Sequence, residues 1–302
     1  MTFGGQTNEE AAREMVDACF DRGINFFDTA NVYNKGASEE ILGRALKGLR
    51  DRVVLASKVR MQMGDGPEDI GLSRAAIMRA VEDSLRRLGT DYLDIYYLHA
   101  PDYDTPMAET LGAMDELVRQ GKVRYAASSN YAAWQVTEML CIAAEKQYKP
   151  LWISQPMYNL IARGIEQEYL PMCKHFGVST FVYNPLAGGL LTGKHKQEAP
   201  LPGSRFDKNK MYQDRYWHAD DFSAVETLRD IAQRAGRSLV SLALNWILHH
   251  TAATGIILGA SRIEHLTGNL DSLKDGPLNS ETVEACDAVW ARLRGVTPQY
   301  NR

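Results

Sequence analysis

The 302-residue sequence predicts an α/β fold, a parallel barrel, on three observations. Short apolar runs of strand length alternate with stretches of helical period along the whole chain, the pattern of a parallel sheet covered by helices. No break in composition divides the chain, so a single domain over residues 1–302 fits it, and α/β barrels use about 250 residues for one domain. No G-x-G-x-x-G turn with a following acid marks a first βα unit, which counts against a doubly wound dinucleotide-binding sheet. A (β/α)8 TIM barrel is the architecture left.

The elements follow in order. Residues 8–21 form a helical stretch with apolar Ala11, Met15, Cys19 and Phe20, followed by a strand at Ile24–Asp28. Ser38–Leu49 reads as a helix opened by a serine N-cap, with Glu39 and Glu40 in the first turn where the helix dipole favours acids. Val53–Lys58, Leu93–His99, Val123–Ser128, Trp152–Gln155, Ser179–Tyr183 and Gly255–Gly259 read as further strands. Between them lie helical periods at Ser73–Leu88, Pro106–Arg119, Ala132–Lys146, Ile165–Phe176 and Ala224–Ala235. Gly89, Gly121, Gly177 and Gly236 stand where helix C-caps favour glycine. The stretch from Ala187 to Asp221 is the longest irregular one, and loops of that length in compact domains are usually functional or disordered. Seven strands are visible where the barrel needs eight. Only MTFGGQT precedes the first helix, so the opening strand is expected either upstream of Met1 or absent from an open barrel.

Composition excludes several classes of function. A net charge of −4 gives no reason to expect a nucleic acid or an anionic membrane as partner. No apolar run approaches the roughly 20 residues that span a bilayer. MTFGGQTNEE has neither the basic nor the apolar region of a signal peptide. Cys19, Cys141, Cys173 and Cys286 are far apart and form no CxxC pair, so they read as buried free thiols in a reducing compartment, which points to the cytoplasm. No His or Cys pair has ligand spacing backed by a second pair, so no metal is expected.

The chemistry gathers at strand ends, where parallel barrels place catalytic groups. Asp28 ends the first strand and Tyr33 lies in the loop beyond it. Lys58 ends the second strand and His99 the third. Taken singly, Lys58 reads as an edge charge, His99 as a hydrogen-bonded core histidine, and the 26–33 segment as a solvated loop. Taken jointly, a carboxylate, phenol, ammonium and imidazole at the ends of successive strands form coherent machinery. A phenol with a pKa of about 10 is too weak an acid for proton donation near neutrality. A nearby ammonium favours phenolate, a carboxylate holds the ammonium in place, and an imidazole can polarise a carbonyl. Such a group gives a proton to a developing alkoxide, which calls for a hydride donor, and with no redox metal in view an organic one is implied.

DTANVY, the lysine closing VVLASK and the histidine of YLH together resemble the catalytic tetrad of the aldo-keto reductase superfamily, over a span from Thr2 to about Asn269. TFGGQTNEE, RGINFFDTANVY and LGASRIEHL are most similar to the branch that holds bacterial reductases and potassium-channel β subunits. The resemblance implies that Tyr33 is the general acid, that Lys58 and Asp28 tune it, and that His99 orients the carbonyl of a small-molecule aldehyde or ketone. It implies NADP(H) as cofactor in preference to NAD(H). Ser129, Asn130 and Gln155 would hold the nicotinamide carboxamide, and Tyr183 would stack on the ring. Gln6, Asn184, Leu186 and Gly188 would approach the cofactor. Gly259, Ser261, His265 and Asn269 match the adenosine 2′-phosphate site, with Arg262 as a nearby cation. A missing glutamate at Gly268 weakens the adenine or ribose contact.

Gly188-x4-Gly193-Lys194 nearly spells a P-loop, but His195 stands where a Walker motif needs Ser or Thr. Backbone amides with Lys194, helped by Arg205, reach a dinucleotide pyrophosphate instead. The resemblance also implies a hairpin and a first barrel strand before the position of Met1, and neither is expected within residues 1–302. The resemblance therefore admits two alternatives: a cofactor-sensing binding module like a channel β subunit, and an inactive, truncated reductase. Tyr103, Trp134, Met61 and Met63 are expected either to line a substrate pocket or to pack. Arg163 is expected in a structural ion pair. Substrate identity is not legible, and a homo-oligomer is compatible with the sequence.

Overall fold

The computed structural model describes residues 1–296, which form an α/β fold with seven parallel strands in chain order. That order and the intervening helices are those of a (β/α)8 barrel with seven strands, among the described residues, in place of eight. The residues group into two compact units.

The first unit comprises Met1–Pro156, Met172–Ser179 and Gly259–Thr267. Its sheet runs β1 (Phe26–Asp28), β2 (Val54–Val59), β3 (Leu93–Leu98), β4 (Val123–Ser129) and β5 (Ile153–Gln155), each paired in parallel with the next. All six residues of β3 are buried, as a strand covered on both faces must be. Ala56, Ile95, Tyr97 and Ala127 form one cluster across adjacent strands, with Phe26, Val54 and Ile153 packed against it. Small and aromatic residues at facing positions let the sheet fill its own interior.

The helices are α1 (Glu9–Asp21), α2 (Ala37–Ala45), α3 (Arg74–Leu88), α4 (Met107–Arg119) and α5 (Ala133–Lys146). Asn8 and Ser73 accept N-cap hydrogen bonds from Ala11 and Ala76 at 2.9 and 3.2 Å. Gly89 ends α3 in the left-handed conformation, as the sequence predicts. Gly43 lets α2 press on α3, since a Cβ there would stand 2.3 Å from the Leu88 carbonyl oxygen. One predicted cap is corrected. Ser38 does not open α2; the helix starts at Ala37 after a left-handed Gly36. The Ser38 hydroxyl instead bonds the Thr29 hydroxyl at 2.9 Å, a long-range partner that local sequence does not announce. Residues 1–7 form no barrel strand but a short strap, with one bridge between Phe3 and Thr7.

The second unit comprises Met157–Pro171, Thr180–Leu258 and the described residues from Gly268 onward. Its strands β6 (Ser179–Tyr183) and β7 (Gly255–Ile257) pair in parallel. Helix α6 (Tyr169–Phe176) precedes β6, and α7 (Lys210–Tyr216), α8 (Ala219–Arg234) and α9 (Leu239–His250) follow it. After β7 come α10 (Ile263–Ser272) and α11 (Ser280–Arg294). The stretch 187–221 is less irregular than expected, because α7 and the start of α8 lie within it; α7 is only seven residues long and buries just Tyr212 and Tyr216. The core gathers Trp246, Leu228, Leu242, Val182 and Leu190. Arg163 bonds Glu166 at 2.8 Å and Asp287 at 2.7 Å, the structural ion pair expected of it.

All four cysteines are free. Cys173 and Cys286 are buried, and burial raises their thiols to about 11 and about 12. Cys19 is only half-buried and Cys141 is exposed, which corrects the expectation for those two. Cys141 falls on α5 beside, not among, the inward positions Val136, Met139, Leu140 and Ala143.

Candidate active site

The first unit brings Asp28, Tyr33, Lys58 and His99 together. Register explains the meeting. Asp28 pairs with Ala56 and Lys58 with Tyr97, so each strand overshoots its neighbour by a short step. The backbone N–H of His99 then donates to the Val59 carbonyl at 2.9 Å, which seats the imidazole beside the end of β2. Beyond Asp28 the chain stays laddered to β2, with Asn31 N–H donating to the Lys58 carbonyl at 3.3 Å. It then turns through a 3₁₀ segment at Tyr33–Gly36 whose Asn34 and Lys35 are both left-handed, and the Tyr33 hydroxyl lies 3.5 Å from the lysine ammonium.

Lys58 is 1% exposed, and its ammonium donates to the Asp28 carboxylate, to the Thr29 carbonyl at 2.8 Å and to the Tyr33 hydroxyl at 3.5 Å. The other Asp28 oxygen accepts from Gln155 Nε2 at 2.9 Å. Burial pulls the Lys58 pKa down, but Asp28 and then Tyr33 outweigh it and leave the ammonium above its ordinary value. The Tyr33 and His99 rings meet edge to face with centroids 5.8 Å apart. Burial, helped by Lys58 and Arg60, lowers the His99 pKa to about 3, so the imidazole is neutral at physiological pH. Its buried Nδ1 has no hydrogen-bond partner. The site is a buried cation, a phenol within its reach and a neutral imidazole against the phenol. It can transfer one proton while keeping a fixed positive charge behind it. His99 is expected to show no protonation step between pH 5 and 8 when its ring protons are followed by NMR; a midpoint near 6.5 would contradict the burial that depresses it.

The ends of β4 and β5 supply a second cluster. Ser129 Oγ donates to the Gln155 carbonyl at 2.8 Å, and Asn130 Nδ2 donates to Ser129 Oγ at 3.0 Å and to the His99 carbonyl at 2.8 Å. Asn130 is left-handed, a conformation that asparagine tolerates. A hydroxyl and two carboxamides on adjacent strand ends form a donor and acceptor set matched to a carboxamide ligand. Among the other residues singled out in this unit, Gln6 and Gly259 are exposed and Ser261 is half-buried. Arg262 and His265 are exposed at the start of α10.

In the second unit Tyr183 ends β6, and Asn184 is left-handed. Asn184 accepts from the Gly188 N–H at 3.0 Å and donates to the Tyr216 hydroxyl at 3.1 Å, which fixes the turn that carries Leu186 and Gly188. Lys194 is exposed, while His195 is buried between Phe206 and Trp217, at ring distances of 5.0 and 5.7 Å. The residue that spoils the P-loop is thus an anchor for the loop. Arg205 donates to the Tyr212 hydroxyl at 3.2 Å. Asn269 is buried.

Sequence reasoning missed Arg60. It follows Lys58 by two residues, and its φ of 142° is rare for a residue with a side chain. Its Nε donates to the Pro101 carbonyl at 3.2 Å, and it lines a cavity of about 30 Å³ with Asn31, Met61 and Met63. The period-two alternation from Lys58 was the one available signal. Tyr103 and Trp134 are 81% and 63% exposed, so neither packs into a core.

At these strand ends the chain sets a phenol within reach of a buried ammonium, and comparisons with known proteins place such a site among oxidoreductases. A model described as the Aldo/keto reductase family matches residues 1–291, and the chain belongs to that family. It is 35% identical over 320 residues to "Aflatoxin B1 aldehyde reductase member 2" of Rattus norvegicus, covering 100% of this chain and 86% of the relative. It is 35% identical over 320 residues to "Aldo-keto reductase family 7 member A3" of Homo sapiens, covering 100% and 95%. It is 36% identical over 296 residues to "Probable voltage-gated potassium channel subunit beta" of Oryza sativa subsp. japonica, covering 96% and 90%. Among the described residues no helix is long and apolar enough to cross a membrane.

Proposed function

We propose that the chain is an NADPH-dependent reductase that converts an aldehyde or ketone to an alcohol, with Tyr33 as the proton donor. The observation that carries this reading is the Lys58 ammonium, buried and bonded at once to the Asp28 carboxylate and the Tyr33 hydroxyl. A nicotinamide held at this site would supply the hydride that the carbonyl carbon receives. Tyr33 gives its hydroxyl proton to the carbonyl oxygen and is left as phenolate, which the ammonium stabilises. Water then restores the phenol. His99, neutral, can donate one N–H to the carbonyl oxygen and hold it toward Tyr33.

Ser129, Asn130 and Gln155 fit a nicotinamide carboxamide by their donor set. In the same reading Tyr183, Asn184, Leu186, Gly188, Lys194 and Arg205 serve the ring and pyrophosphate. Gln6, Gly259, Ser261, Arg262, His265 and Asn269 serve the adenosine end. The exposed cation Arg262 at the start of α10 supports the 2′-phosphate, because helix N-termini and guanidinium groups both favour phosphate.

The test is titration with NADPH and NADH, followed by protein fluorescence, with a panel of carbonyl compounds behind it. NADPH is expected to bind the more tightly and to be oxidised in the presence of an aldehyde. Binding of NADPH with no turnover of any carbonyl would instead favour the cofactor-sensing module. Equal affinities would remove the phosphate role of Arg262.

A further inference from the structure

We propose that Asn34 is the positioning residue of the proton donor: its carboxamide ties the Tyr33 turn to the strap of residues 1–7, and the strap is tied in turn to the loop 259–261. This rests on the reading of Tyr33 as the donor. Asn34 and Lys35 have φ of 49° and 54°, two successive left-handed residues with side chains. Asparagine tolerates that conformation but lysine is strained in it, so the turn beside the phenol gains from a hold from outside. The strap supplies it. Asn34 Nδ2 donates to the Phe3 carbonyl at 2.6 Å and to the Met1 carbonyl at 3.0 Å, using both of its N–H groups. The strap is closed on itself by the N–H groups of Gly5 and Thr7, both donating to the Thr2 carbonyl at 3.0 Å. Gly5 allows the approach, since a Cβ there would lie 3.1 Å from both polar atoms of the Asn34 carboxamide.

At its other side the strap bonds the segment before α10. Thr2 Oγ1 donates to the Ala260 carbonyl at 3.0 Å, and Thr7 Oγ1 to the Ser261 carbonyl at 3.1 Å. One seven-residue piece therefore holds both the turn that carries the proton donor and the loop assigned above to the cofactor phosphate. Asparagine suits position 34 for two reasons at once. It tolerates the left-handed conformation, and it carries two donors on one nitrogen. Glycine would satisfy only the first.

That difference gives the test. Asn34→Gly keeps the backbone conformation and removes both hydrogen bonds, which lie at the exposed edge, so the variant is expected to fold with little change in stability. The groups facing the phenol are Lys58 from β2, with Asp28 behind it, and His99 after β3, with Lys35 next in the turn. If Asn34 sets the distance from Tyr33 to Lys58, the ionisation of Tyr33 must shift when the hold is released. It is read in the cofactor-free protein from ultraviolet absorbance, as the difference between each background and its Tyr33→Phe partner. Turnover is expected to fall on the order of tenfold or more, because displacement of a reacting group by about 1 Å can cost 100-fold. An unshifted Tyr33 titration in Asn34→Gly overturns the proposal, whatever turnover does. A shifted titration with native turnover supports the positioning and overturns the donor reading instead. A Thr2→Val/Thr7→Val variant, loosened only at the far side of the strap, is expected to weaken NADPH binding; native affinity there would overturn the tie to the 259–261 loop.

Discussion

Replacing Tyr33 by Phe is expected to abolish carbonyl reduction by about 10²–10⁴-fold while leaving cofactor affinity at its native value. A thousandfold loss corresponds to roughly 4 kcal/mol of transition-state stabilisation. The size follows from what the substitution removes and what it spares. The phenol oxygen lies 3.5 Å from the Lys58 ammonium, so in the proposed reaction a proton leaves it with a fixed charge behind it. The ring's other contacts survive in Phe. His99 keeps its edge-to-face neighbour, whose centroid lies 5.8 Å from its own, and the ammonium keeps an aromatic face at 5.0 Å. The Lys58–Asp28 pair and the Thr29 carbonyl bond do not involve the hydroxyl. The variant should therefore fold, bind NADPH and fail in the chemical step, seen as a loss in kcat without a rise in the cofactor's dissociation constant. Native turnover in Tyr33→Phe would remove the phenol from the reaction.

The legible part of the site is the part carried by buried strands. Asp28, Lys58 and His99 could be placed because each closes or directly follows an apolar run, and parallel strands in chain order bring such ends to one side. The fold was legible for the same reason, since five of the strands pair in chain order, each with the next. Tyr33 was legible as a residue type only. It is followed by two left-handed residues, the first an asparagine bonded to carbonyls 31 and 33 positions away, and none of this has a local pattern. The place of Arg60 beside the cavity was hidden because it goes with an unusual backbone angle. Ser38 was misread because its hydroxyl found Thr29 rather than the helix end. Helix α9 escaped the periodicity argument altogether: eight of its twelve residues are buried, so it shows no apolar stripe to count.

The second large effect concerns stability as much as chemistry. Lys58→Met is expected to destabilise the fold by about 3–5 kcal/mol, the typical result of removing one partner from a buried ion pair. Asp28 would be left 7% exposed at its side chain with a full negative charge, and Gln155, donating to its other oxygen at 2.9 Å, cannot replace the charge lost. The double variant Asp28→Asn/Lys58→Met should recover much of this loss, because it leaves no buried charge unpaired, while still showing no turnover. That recovery separates an electrostatic penalty from a packing one. The methionine stem fills nearly the same space as lysine, so a cavity cannot account for the single variant's loss. The pH dependence has a definite sign. Because the folded Lys58 pKa lies above the unfolded value, the pair's contribution is fully present below about pH 10.4 and is lost as pH rises through the folded value. Native protein should thus lose stability on the alkaline side through this pair, and the double variant should lack that component. Urea unfolding midpoints at pH 7 and at pH 11, with the slopes compared to confirm that the same surface is exposed, measure both effects. If Lys58→Met unfolds at the native midpoint, the ammonium and carboxylate are not a desolvated pair, and the charge that Tyr33 needs behind it is not there.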